Sequence, residues 1–208
     1  MSVQIAAGSE GSPEPSAPAQ GIRQQGRSSD HEAVRVLGLR GDVSGAVPSG
    51  KDCEPCLTCI KPSFLWMMYR SNWGTSAGQE TVLAVEIARG GFDWALRHAC
   101  LSSYARGLHP DRDTWQRELK RAPARVQWDP ERDLNLRPLP HRALQLGLSG
   151  EASSRYADEW TVSISDVTPL AREIRTLVNR GDLDSATRLL PQEQRYPAGD
   201  ELLAHLRP

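Results

Sequence analysis

Apolar and polar positions alternate most clearly in TVLAVEIA, 81–88, where Leu83, Val85 and Ile87 fall on one side and Val82 and Ala84 on the other. A period of two with both sides apolar predicts a central strand covered on two faces. ARVQW (124–128) and RALQLGL (142–148) predict two more strands, the second with Leu144, Leu146 and Leu148 in alternation. EWTVSI (159–164) predicts a fourth, with Trp160, Val162 and Ile164 on one side.

Helical spacing is found elsewhere. Phe64, Met67 and Met68 recur on one side of 63–70, with Ser63 as cap, while Lys61, Tyr69 and Arg70 point toward an edge. GGFDWALRHACL predicts a helix with Phe92, Leu96 and Ala99 near one stripe, and 113–121 a short charged helix stopped by Pro123. Thr168 and Pro169 open a helix carrying Leu170, Ile174, Leu177 and Val178, which Gly181 ends. Asp182 caps the next, with Leu183, Ala186, Leu189 and Leu190, until Pro191. Strands and helices segregated in this order make an α+β fold, a single domain with a mixed or antiparallel sheet flanked by helices and a C-terminal helical hairpin.

Residues 1–28 are Gly, Ser, Pro, Ala and Gln with few large apolar side chains, so they read as a disordered leader. The domain is expected over 29–200, with 201–208 as a tail. Its first part, 29–59, begins like a strand at AVRVLGLRGDV, but glycines interrupt it and leave its order open. Across 208 residues, 38% are hydrophobic and the net charge is −1, enough for a core and too balanced for a polyelectrolyte partner. No run approaches the roughly 18–20 apolar residues that span a bilayer, and no secretory signal is legible. The four cysteines are therefore expected as thiols, and the location as cytoplasmic.

Cys53, Cys56 and Cys59 stand at C-x2-C-x2-C, part of a metal-ligand run. The fourth ligand position of a ferredoxin-type run holds Ser63, and no C-x2-C partner follows, so no metal is expected here. Cys100 reads as a small core residue. Phosphate-loop, dinucleotide, zinc-protease and nucleophile-elbow motifs are absent.

The words IKPSFLWMMYRSNW, GQETVLAVEIARGGFDWALRHACLS and VQWDPERDLNLRPLPHRALQLGLSGEASSRYADEWTVSISDVTPLAREI resemble the family catalogued as domain of unknown function 4291, over about 60–196. The resemblance implies a fold and no activity. Where relatives have a Val-Tyr-Gln-Ala-Tyr word, this chain has Val36-Leu37-Gly38-Leu39-Arg40. Where they have Met-Thr-Trp-Ile-Lys-Pro, it has Leu57 to Pro62 with Cys59 in the aromatic position. If those aromatics line a site in the family, this copy is impaired.

The residues best suited to chemistry are Lys61, Arg70 and Arg137 for anion binding, Tyr69 for stacking, and His141 or Glu151 for proton transfer. The loop 126–142 adds Trp128, Asp129, Glu131, Arg132 and Asp133, whose interleaved signs equally suit a salt-bridged surface. The leading expectation is binding or processing of a phosphate-bearing ligand, a nucleotide or nucleic acid end, with no cofactor identified. The alternatives are a non-enzymatic interaction module, or an inactive family member. A further one is an NAD-using enzyme, because the element order loosely resembles ADP-ribosyltransferase-like folds.

Overall fold

The TVLAVEIA pattern is realised as an inner strand with a separate core on each face. The structure is a computed structural model that describes residues 2–4, 33–40 and 58–206. In chain order the elements are β1 (Ser2–Gln4), β2 (Ala33–Arg40), β3 (Thr58–Ile60), α1 (Phe64–Ser71), β4 (Thr81–Ala88), α2 (Arg89–Arg97), β5 (Ala99–Leu101) and α3 (Arg112–Arg121). They continue with β6 (Ala124–Arg132), β7 (Pro138–Leu148), α4 (Glu151–Arg155), a π-helical turn (Tyr156–Trp160), β8 (Thr161–Asp166), α5 (Thr168–Asn179), α6 (Leu183–Leu189), β9 (Glu193–Arg195) and α7 (Asp200–Ala204).

Two sheets result, one of order β8-β4-β2-β1-β9 and one of order β3-β7-β6-β5. Parallel and antiparallel pairs occur in both, so the fold is α+β with mixed sheets. Val85 and Ile87 of β4 join Val34 and Val36 of β2 against Val126, Leu144 and Leu146 of the other sheet. On the opposite face, Val82 and Ala84 meet Phe64, Met67 and Met68 of α1, with Ala171, Ile174 and Ala186 of the α5–α6 hairpin. The hairpin thus spends its apolar stripe on its own sheet.

Local signals explain most boundaries. Ser63 accepts a hydrogen bond from the Trp66 amide, and the Glu193 carboxylate accepts one from the Phe64 amide, so two orphan donors at the start of α1 are satisfied. Asn72, Trp73 and Gly74 then run in the left-handed region (φ 48°, 59° and 69°), which ends the helix and seats Trp73 in the core. Asp182 caps α6 through the Ser185 amide.

Three expectations need correction, and one question left open is answered. The chain leaves α2 at Arg97 and Ala99–Leu101 is a strand beside β6, so Ala99 is not part of a helical stripe. Trp160 is buried, but it closes the π turn and lies outside β8, whose Val162 and Ile164 are 64% and 61% exposed on a sheet edge. Residues 33–40 form an unbroken strand in register with β4, Gly38 included. The stretch expected as a tail instead carries α7 and buried Leu206, whose carbonyl accepts the Trp128 indole N–H. Ser2–Gln4 pairs with β2 and β9, and residues 5–28 of the expected leader lie outside the described residues.

Candidate functional site

The two sheets are stitched together at one point. Leu37 of β2 and Lys61, just past β3, exchange backbone hydrogen bonds of 2.8 and 3.0 Å. A cleft of about 410 Å³ opens beside this seam, lined by Gly38, Cys59, Lys61, Trp66, Arg70 and Gln145 among others. Two of the residues expected to carry chemistry, Lys61 and Arg70, therefore converge.

Lys61 is not at an edge, as its spacing suggested; it is 0% exposed. Its ammonium sits 3.0 Å from the Asp129 carboxylate and 3.7 Å from the centre of the Trp66 ring. Burial pulls its pKa down to about 8, against the opposing pull of Asp129 and then of Glu131. Beside it, the Ser63 hydroxyl donates to Glu131, itself 2% exposed, and the Arg132 amide donates to the same carboxylate oxygen. Lys61 of the cleft wall is thus backed by a polar cluster of buried Ser63 and Glu131 and partly buried Asp129, with the Trp66 indole against its ammonium. An ammonium whose pKa is lowered to about 8 gives up its proton more readily than an ordinary lysine does.

Arg70 supplies the rim. It is exposed, and its guanidinium donates to Gln79 at 3.2 Å. Cys59 is exposed, with Gln145 3.9 Å from its sulfur. Cys53 and Cys56 lie outside the described residues.

The other candidates do not line this cleft. Tyr69 is 45% exposed and lies outside the cleft lining, and one face of its ring is covered by the Arg132 guanidinium at 3.6 Å. Arg137 is exposed at the β6–β7 turn, its amide donating to Asp133. His141 is exposed on β7. Glu151 begins α4 and faces Arg155 at 3.6 Å, a surface pair one helical turn apart. Asp129 and Glu131 were in view in the sequence as parts of a charged loop, whereas Ser63 counted only as a cap. Their spacing of two along an extended β6 is the signal that would have placed both carboxylates on one side.

Among the described residues, no helix is long and apolar enough to cross a membrane. No curated protein and no solved structure matches the chain. The family model described as Domain of unknown function (DUF4291) matches residues 54–196, which include Lys61, Asp129, Glu131 and every element of the cleft except β2. The chain belongs to the DUF4291 family.

Proposed function

We propose that the cleft binds a phosphate-bearing ligand, a nucleotide or a nucleic acid end. The observation that supports this best is the convergence of Lys61 and Arg70 on one opening at the seam of the sheets. Arg70 makes the first contact, since among the described residues its exposed guanidinium has only Gln79 to release, and its planar fork suits a phosphate. Lys61 is committed to Asp129 and lies beneath Trp66, so it acts second, once the indole shifts. An arriving anion would favour its charged form and offset the desolvation that lowers its pKa.

The test is calorimetric titration of the purified chain with ATP, NAD, inorganic phosphate and a short 5′-phosphorylated RNA. Binding to at least one of them is expected, weakened tenfold or more by Arg70→Ala. No binding, or binding indifferent to Arg70→Ala, overturns the reading.

The position of the cleft between two sheets supports a second reading, an NAD-using enzyme of ADP-ribosyltransferase-like type. There the carboxylates at hand are Asp129 and Glu131, with Glu151 outside the cleft. Binding of NAD with no response to ATP would separate this reading from the first. A cytoplasmic location is part of the proposal, supported by the Cys100 thiol.

A further inference from the structure

A second cleft, of about 400 Å³, opens where the end of α2, β5 and α3 meet, and His98, Cys100, His109, Glu118 and His205 are on its walls. Three of these come from consecutive segments of the chain: Cys100 from β5, His109 from the connection that follows, and Glu118 from the second half of α3. The Cys100 sulfur, a His109 ring nitrogen and a Glu118 carboxylate oxygen lie within 4.8 Å of one another.

The surroundings hold this arrangement in place. The His109 ring packs between Tyr104 and Trp115, with centroids 5.9 and 6.4 Å away, and its Nδ1 lies 3.2 Å from the Ala105 carbonyl oxygen. The Trp115 indole N–H donates to the Leu101 carbonyl at 2.8 Å. That single bond ties α3, one turn before Glu118, to β5, one residue past Cys100. Outer partners that orient a histidine and fix the spacing of its neighbours are what metal ligands require. Cys100 makes only a long sulfur contact with the Leu101 carbonyl, 3.6 Å, and the Glu118 carboxylate forms no hydrogen bond among the described residues. The polar ends of both therefore remain available.

We propose that Cys100, His109 and Glu118 bind a divalent cation of the zinc class, with a fourth position open to the cleft for water or a small ligand. A sulfur, a nitrogen and an oxygen donor form a borderline-soft set suited to zinc and poorly suited to magnesium or calcium. Ligand atoms around tetrahedral zinc stand roughly 3–4 Å apart, given bonds of about 2.0–2.3 Å. Glu118, exposed on a flexible stem, closes the remaining gap. On binding, the Cys100 thiol gives its proton to solvent and coordinates as thiolate.

The experiment titrates chelator-stripped full-length protein with Co²⁺ and then displaces it with Zn²⁺. The three cysteines at 53, 56 and 59 are the obvious rivals, so the parent is compared with the variant Cys53→Ser/Cys56→Ser/Cys59→Ser. One equivalent of Co²⁺ with a thiolate-to-metal charge-transfer band is expected in both. Cys100→Ser should abolish the band, and Glu118→Gln should weaken Co²⁺ binding at least tenfold with an unchanged circular dichroism spectrum. Glu118 is exposed, so its variant decides the matter even if Cys100→Ser fails to fold. Loss of the band in the triple variant, metal binding as tight in Glu118→Gln as in the parent, or no metal bound at all would each overturn the assignment.

Discussion

Lys61 is the residue of the cleft whose chemistry departs clearly from its usual value. Burial pulls its ammonium down to about 8, so the unfolded chain binds a proton there between about pH 8 and 10.5 that the folded chain does not. Over that window stability must rise with pH as far as this group is concerned, because the unfolded state carries the extra proton. The span corresponds to roughly 3 kcal/mol at most. The part due to Lys61 is isolated by urea unfolding of the parent and of Lys61→Met at a series of pH values. The parent should gain on the variant as pH rises from about 8 to 10.5; parallel curves would mean that the amine is not desolvated. Helical spacing placed this residue at an edge because the pattern was extended one turn too far. Lys61 precedes the α1 cap, and its backbone is drawn into a bridge to Leu37, a partner 24 positions upstream whose pairing no local pattern encodes.

At the scale of elements, α2 and the π turn show how one small residue admits a large one. Gly91 faces the Trp160 indole so closely that a Cβ would overlap the ring. Trp94 lies against the same indole, 5.5 Å between centroids, and the Arg155 guanidinium lies 4.6 Å from Trp94. Gly91→Ala would improve helix propensity, yet the displaced indole decides the outcome. A loss of about 1–3 kcal/mol is expected, read as a lower urea midpoint at unchanged slope. Gly38 in β2 is the control, since among the described residues nothing lies within 4 Å of a Cβ placed there; Gly38→Ala should be neutral or stabilise by about 0.4–1 kcal/mol. The elements with strong periodicity, β4, α1 and the α5–α6 hairpin, were legible with their boundaries nearly correct, whereas β6 continues to Arg132 and β7 starts at Pro138, through residues expected as a connecting loop. β5 was not legible, because three residues of strand after a helix leave no period to detect.

For the whole molecule, the C-terminal stretch closes the structure. Trp128 of β6 donates its indole N–H to the Leu206 carbonyl, Leu206 is buried, and His205 lies 3.2 Å from the Leu96 carbonyl. A chain truncated after Gly199 should lose on the order of 3 kcal/mol or more, from the exposed apolar surface and the stranded indole donor. Thermal unfolding of the truncated form checks this, and an unchanged midpoint would show that the contacts are dispensable. Sequence alone determined the α+β class, the two-faced β4, the helical hairpin and the family, because each rests on short-range period, capping residues or long matching words. It also singled out Lys61 and Arg70 by residue type. Only the tertiary structure decided that these two share a cleft, that Asp129 and the buried Glu131 lie beside the lysine, and that Cys100, His109 and Glu118 meet. Those juxtapositions join residues on separate elements, and the burial that sets their chemistry arises only when the two sheets close on one another.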